Sequence, residues 1–345
     1  MTFDLQNTNI QYFRRKLLDW NQKTNNRPMP WKGEKDPYKI WLSEIILQQT
    51  KVSQGVKYYN YYIRKYKTIT ELANASDDEV FKAWEGLGYY NRCRNMLFTA
   101  RFIRDNYSSV FPNTYEDIIN LKGVGAYTAA AISSFAYNLP HAVVDGNVVR
   151  VISRYLALER QFVSAQDKRI YQELANTFLA QRRAGIYNQA IMDFGATLCT
   201  PKCPSCSLCP VKRNCKAYEL NEIEKFPPKK NKVTLKKRSF HYVILHIKQS
   251  IYIRKRSDKD IWHSLYEPIL IEQKSTPDWL KSHKAVARKS QKLSHQQLDI
   301  RFYILNSLSE IPINIDSYTK IGLKRLKDKA FPRSVYEFLQ DFEYI

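Results

Sequence analysis

The sequence predicts a mainly α region over residues 1–225, a basic linker over 226–238 and an α+β domain over 239–345. Three observations carry that division. From about residue 10 to residue 220, apolar side chains recur at helical spacing with capping residues between the runs. Phe226 to Arg238 (FPPKKNKVTLKKR) holds two prolines and six basic residues with few large apolar groups, so it reads as a linker. Beyond it, Ser239 to Ile247 and Ile251 to Arg256 are rich in β-branched and aromatic residues around a short polar break, which predicts a hairpin. Asp299 to Leu305 adds a strand and Ser334 to Phe342 a closing helix. A chain of 345 residues is long enough to bury two separate cores.

Two helix starts in the first region are explicit. Asp36-Pro37 places an N-cap residue before a proline suited to the first helical position, and the run Tyr38 to Tyr66 keeps a helical pattern interrupted near Gly55. Thr114 and Asp117 have the spacing of a capping box and open a short helix ending near Leu121.

Lys and Arg number 55 against 33 Asp and Glu, a net charge of +22, and the basic residues are interleaved with 24 tyrosines. Such an excess favours a polyanionic partner through phosphate neutralisation, with binding that weakens steeply in salt. Met1 to Lys16 lacks the continuous apolar core of a signal peptide, and no stretch is apolar for long enough to span a bilayer. A cytoplasmic, nucleoid-associated monomer is the expectation, with no membrane partner.

Five of the six cysteines crowd into one short segment. Cys199, Cys206, Cys209 and Cys215 follow the spacing C-x6-C-x2-C-x5-C, one compact wrap that suits a [4Fe–4S] cluster, with zinc as the alternative. Cys203 reads as a spectator thiol. Lys212 and Arg213, inside the loop, would present two cations to a phosphate backbone.

Leu121 to Thr128 (LKGVGAYT) joins the short helix after Thr114 to a longer one. Gly123 and Gly125 flank Val124 and permit the positive φ and close approach that a helix–hairpin–helix requires. The next helix then aims unpaired N–H groups at an anion, so Lys122, Gly123, Val124 and Gly125 are candidate DNA-backbone contacts.

Two carboxylates suit one reaction. Glu44 follows Ile40 by four residues and Trp41 by three, which places it among apolar neighbours that raise its pKa toward that of a general acid. A solvated or lysine-paired glutamate is the plain alternative. Asp145 follows an apolar run and precedes a helix, so it is an N-cap candidate whose fixed negative charge can also face a cationic sugar. Breaking an N-glycosidic bond needs a proton on the base and an anion near the sugar, a logic shared with sugar hydrolases.

Taken together, RPMPWKGEKDPYKIWLSEIILQQTKV (27–52), WEGLGYYNRCRNM (84–96), LKGVGAYTAAAI (121–132), VDGNVVRV (144–151) and the four cysteines resemble the adenine DNA glycosylase family of the helix–hairpin–helix superfamily. The resemblance implies excision of adenine mispaired with 8-oxoguanine or guanine in double-stranded DNA, within base excision repair. It implies that Glu44 protonates adenine and that Asp145 stabilises, or transiently bonds to, the sugar cation, with Tyr127 and Asn147 as their partners. Arg27, Trp31 and Gln189 resemble adenine-pocket residues, and Gln49 and Tyr89 residues that enter the base stack. Lyases of the endonuclease III type carry lysine at the position of Tyr127, and tyrosine cannot form a Schiff base, so a monofunctional enzyme is implied.

The second domain resembles the Nudix-like C-terminal domain of the same family in IYIRKRSDKDIWHSLYEP and LSHQQLDIRFY. Ser294 and His295 stand where the family reads 8-oxoguanine, with Leu293 in place of the usual Phe and without the glycines common near Trp262. The acidic box that binds magnesium for nucleotide hydrolysis is missing, which excludes a pyrophosphatase. The alternatives are an endonuclease III-like glycosylase/lyase for oxidised pyrimidines, against which Tyr127 stands, and a non-catalytic iron–sulfur DNA-binding protein, against which Glu44 and Asp145 stand.

Overall fold

A computed structural model of the chain describes residues 9–229, 234–256 and 260–345. Expectations for the first eight residues, for 230–233 of the linker and for 257–259 lie outside the described residues. In chain order the helices are α1 (Ile10–Lys23), α2 (Pro37–Leu47), α3 (Val52–Lys65), α4 (Ile69–Asn74), α5 (Asp77–Ala83), α6 (Asn91–Asn106), α7 (Tyr115–Ile119), α8 (Ala126–Tyr137), α9 (Gly146–Leu156), α10 (Ala165–Phe178), α11 (Ala184–Thr197), α12 (Lys216–Glu219) and α13 (Arg333–Asp341). No helix among the described residues is long and apolar enough to cross a membrane.

The chain divides into two compact units, Met1–Ala73 with Phe98–Asn231 and Asn74–Leu97 with Lys232–Ile345. The excursion 74–97, expected within the N-terminal region, groups with the C-terminal segment. Polar contacts join the two. Asp78 on α5 accepts from Lys255 at 2.9 Å, Lys329 at 2.6 Å and Tyr266 at 3.0 Å, while Glu85 accepts from the backbone N–H of Phe331 at 3.0 Å. No contact of that kind is visible in a one-dimensional hydrophobic pattern.

In the first unit, α1 lays Phe13, Leu17 and Trp20 on α9, α10 and α11. Phe13 meets Tyr155 and Phe178 edge-on at 4.7 and 5.2 Å, and Trp20 meets Phe194 at 5.3 Å, within the range where aromatic edges and faces attract. Asp36 caps α2 through Tyr38 N–H at 2.9 Å with Pro37 in the first turn, and Thr114 caps α7 through Asp117 N–H at 3.1 Å, both as expected. The break between Tyr38 and Tyr66 is not at Gly55. It lies at residues 48–51, and Gly55 is helical: a Cβ there would stand 2.8 Å from Leu47 Cδ2, so glycine lets α3 approach the end of α2.

The expected start of the linker is also packed. Phe226 is buried and its carbonyl accepts from Arg154 Nε at 3.1 Å.

The second unit holds strands β1 (Lys236–Leu245), β2 (Ser250–Lys255), β3 (Tyr266–Glu272), β4 (Ala287–Lys292), β5 (Gln296–Leu305) and β6 (Thr319–Gly322) in the order β4-β5-β1-β3-β2-β6. The expected β1–β2 hairpin does not form as a ladder. Among the described residues their ends meet through the bridge His246↔Ile251 and the Ile247 N–H on the Ser250 carbonyl at 3.0 Å, because β3 inserts between and pairs antiparallel with both, while β5 runs parallel to β1. Residues 240–245 of β1 are buried without alternation, as a central strand covered on both faces requires. One face packs on α13 through Phe302 and Phe338, stacked at 4.2 Å; the other closes on Leu280, Tyr303 and Leu305.

Candidate active site

A cavity of about 350 Å³ opens in the first unit, and Glu44, Tyr127, Asp145, Asn147, Arg27, Trp31 and Gln189 all line it. Helix α2 is fixed at its start by the Asp36 cap and presents Glu44, only 7% exposed. Burial pushes the Glu44 carboxyl from 4.5 up to about 7; a hydrogen bond with Tyr127 opposes this and the charge of Asp145 adds to it. Tyr127 stands in the first turn of α8, with its hydroxyl also 3.5 Å from Met192 Sδ. Burial, with Glu44 and Asp145 nearby, pushes its phenol well above the usual value.

Asp145 caps α9. Its Oδ1 accepts from the N–H groups of Asn147 at 2.9 Å and Val148 at 2.8 Å, and its Oδ2 from Asn147 Nδ2 at 2.6 Å. Asn147 is held in turn by Arg150, whose Nη2 donates to Asn147 Oδ1 at 2.9 Å and to the Gly195 carbonyl at 2.6 Å. A capping carboxylate tied by three N–H groups therefore also lines the cavity.

Behind the wall stands a residue that sequence reasoning missed. Asp193 on α11 is fully buried, and its carboxylate accepts from Arg27 at 2.8 Å, Gln189 at 3.0 Å, Asn25 at 2.8 Å and Lys32 at 3.2 Å. Lys32 and Met192, which line the cavity, were missed as well. The signal was available: Asp193 follows Gln189 by four residues and stands in the apolar run Ile191-Met192-Asp193-Phe194, the pattern that singled out Glu44.

Other expected residues lie apart from the cavity lining. Gln49 is exposed in the turn between α2 and α3 with φ 56°. In the second unit, Tyr89 is exposed with φ 48°, and its hydroxyl lies 2.6 Å from Ser294 Oγ. Ser294 and His295 form the exposed tip of the β4–β5 hairpin, closed by Leu293 N–H on the Gln296 carbonyl at 2.8 Å. Near Trp262 the glycines are absent but the conformation that favours them is not: Trp262 and Ser264 take φ of 63° and 72°. Ser264 is held by its N–H on the Arg256 carbonyl at 2.8 Å, which supports a backbone form rare for a side-chain-bearing residue.

The hairpin Lys122–Gly125 is exposed apart from the half-buried Val124. Gly123 takes φ 84°, Gly125 caps α8 without any side-chain bond, and Lys122 lies over the Phe98 ring at 4.2 Å. The start of α8 is thus left with backbone donors for an anion.

Cys199, Cys206, Cys209 and Cys215 line a second, largely apolar pocket with Phe13, Val151 and Leu198, while Cys203 is exposed outside it. Burial pushes the thiols of Cys209 and Cys215 up to about 12 and about 11. Arg154 Nη1 donates to Cys199 Sγ at 3.4 Å and Arg150 Nε to the Cys199 carbonyl at 2.7 Å. Among the described residues no three His, Cys, Asp or Glu side chains come together closely enough to hold a single metal ion. A mononuclear zinc site would need its thiolates about 3.8 Å apart, from a Zn–S bond of about 2.3 Å in a tetrahedron. Lys212 lies within the loop over Tyr218, and Arg213 is exposed.

The profile described as "HhH-GPD superfamily base excision DNA repair protein" matches residues 42–178. A relative from Buchnera aphidicola subsp. Schizaphis graminum (strain Sg), named adenine DNA glycosylase, is 33% identical over 97% of this chain and 99% of its own. The human protein of that name is 39% identical over 62% of this chain and 41% of its own. Among solved structures, one described as a thermostable thymine-DNA glycosylase aligns with a TM-score of 0.58 at 31% identity, covering 63% of this chain and all of the other.

Proposed function

The chain belongs to the adenine DNA glycosylase family of the HhH-GPD base excision DNA repair superfamily, and from that premise we propose that it hydrolyses the N-glycosidic bond of adenine mispaired with 8-oxoguanine or guanine. The observation that carries this reading is that Glu44 and Asp145 line one cavity with Tyr127 beside both. A base extruded from the duplex enters that cavity. Glu44, half protonated near neutrality, gives its proton to a ring nitrogen of the departing purine, which leaves as a neutral base. Positive charge grows on the deoxyribose as the bond lengthens, and the Asp145 carboxylate, immobilised by Asn147 and Val148, faces it without needing to reorganise. Water completes the hydrolysis and leaves an abasic site.

Tyr127 offers a phenol where a lyase needs an amine, which supports a monofunctional enzyme. Lys122 with the start of α8, and Lys212 with Arg213, supply the cations and N–H groups that grip phosphate. Ser294, His295 and Tyr89, exposed in the second unit, are the candidate readers of 8-oxoguanine, and Gln49 the candidate wedge in the stack. The four pocket cysteines would hold a [4Fe–4S] cluster, since four thiols that line one largely apolar pocket are the donor set such a centre takes. Such a cluster supplies structural rigidity to the loop that carries Lys212 and Arg213. Brown protein containing iron and sulfide is expected; colourless protein with stoichiometric zinc would reverse that assignment.

The direct test incubates the protein with a duplex carrying adenine opposite 8-oxoguanine and looks for strand breaks before and after alkali. Breaks only after alkali are expected. Breaks without alkali would make the enzyme a lyase, and an intact adenine strand under both conditions would end the adenine reading.

A further inference from the structure

Asp193 does not line the cavity, yet it touches three residues that do. Its Oδ1 accepts both from Arg27 Nη1 at 2.8 Å and from Gln189 Nε2 at 3.0 Å, and its Oδ2 lies 3.2 Å from Lys32 Nζ. A carboxylate paired with two cations has no proton to give, so it can bond Gln189 only through the amide nitrogen. The consequence is directional. With its Nε2 held by Asp193, the Gln189 amide has its oxygen, an acceptor, left for the cavity. Arg27, attached to the same carboxylate oxygen, is a donor-only group. The wall therefore offers an acceptor beside a donor.

We propose that Asp193 sets the hydrogen-bond polarity of the base pocket, so that it accepts a 6-aminopurine and rejects a 6-ketopurine. The inference rests on the adenine reading above and adds the residue that makes the choice. A 6-aminopurine presents its amino donor beside the N1 acceptor, which complements the Gln189 oxygen and the Arg27 guanidinium. A 6-ketopurine presents an acceptor beside an N1–H donor, the inverse order, and would set oxygen against oxygen and donor against donor. Buried polar groups left facing their own kind discriminate strongly, because each loses its water without gaining a partner. Full burial of Asp193 keeps water off the carboxylate itself. Asp193 acts through Gln189 and Arg27, so it is a positioning residue.

The test measures single-turnover excision by the full chain on duplexes carrying 8-oxoguanine opposite 2′-deoxyadenosine or 2′-deoxyinosine, after a thermal melt has established which variants fold. In Asp193→Asn, the new amide can donate to the Gln189 oxygen and turn the Gln189 amide over. The adenine-to-hypoxanthine rate ratio is expected to fall by about 10-fold or more. Gln189→Met removes the acceptor outright and should lower the ratio similarly, and the double variant should lower it no further than Gln189→Met alone. A folded Asp193→Asn that slows both substrates in proportion, leaving the ratio unchanged, overturns the proposal. If Asp193→Asn does not fold, an unchanged ratio in Gln189→Met overturns it instead. Wild-type protein that leaves adenine uncut would overturn the underlying adenine reading, an outcome distinct from an unaltered ratio.

Discussion

Glu44 on α2 and Asp193 on α11 are both buried carboxyl groups beside one cavity, and their surroundings are opposite. Glu44 has Tyr127 as a hydrogen-bond partner and the negative charge of Asp145 nearby, and its carboxyl rises to about 7. Asp193 meets Arg27, Lys32, Gln189 and Asn25 within 3.2 Å. Burial is common to both; the partners differ. Desolvation without a cation leaves a group that can hold and release a proton, whereas desolvation with cations and amides leaves a fixed anion that orients its neighbours. On the proposed reading, one wall serves proton transfer and the other recognition.

The largest effect should come from removing the proton. Glu44→Gln keeps the side-chain shape and is expected to slow excision about 1,000-fold, the range general acid catalysis supplies, while the duplex still binds. Undiminished single-turnover rates would take Glu44 out of the mechanism. The wild-type rate should also fall as pH rises through about 7, because only the protonated acid can donate. Stability moves in the same direction. The unfolded chain ionises Glu44 near 4.5 and the folded chain near 7, so between those values rising pH favours unfolding, and the loss levels off above 7. Denaturant titrations of wild type and Glu44→Gln across that window should diverge toward high pH, with the variant holding its stability; parallel curves would contradict the placement of Glu44 in an apolar wall.

Asp193→Asn should do the reverse. Arg27 and Lys32 keep side-chain exposures of only 26% and 27%, so two cations lose their partner in a poorly solvated place. A stability loss of roughly 3 kcal/mol is expected, at the lower end for broken buried pairs because water still reaches both cations. Denaturant midpoints read this directly. A loss below that of Glu44→Gln would erase the distinction between the two walls.

How much of this was legible in the sequence follows from the range of each interaction. Caps at Asp36 and Thr114, the acid among apolar neighbours at Glu44 and the N-cap at Asp145 depend on residues within four positions, and all stand where expected. The insertion of β3 between β1 and β2 depends on pairing across the chain, so a short polar break read as a hairpin was misleading. Asp193 meets Arg27 across 166 positions, and no local pattern encodes that. Residues 74–97, which group with the C-terminal unit, likewise meet it through Asp78 on Lys255 and Lys329, separations of 177 and 251. The role of Gly55 was misread because the sequence marks a glycine without telling whether it breaks a helix or lets one pack closely.

A last test leaves both carboxyl groups in place and moves the helices that hold them. Gly195 on α11 faces α9, where an added Cβ would lie 2.6 Å from Asn147 Cβ and 3.0 Å from its carbonyl oxygen. Gly185, at the other end of α11 and also on the cavity wall, would bring its Cβ to 2.5 Å from the Ser134 carbonyl rather than against Asn147. Both alanine variants should lose about 2 kcal/mol of stability, as overpacked sites do. Only Gly195→Ala pushes on the residue that ties Asp145, so it should also slow excision about 10-fold, while Gly185→Ala loses much less rate for the same stability. Equal rate losses would mean that general loosening of α11 governs turnover; the expected split would place the sensitivity in the hold of Asn147 on Asp145.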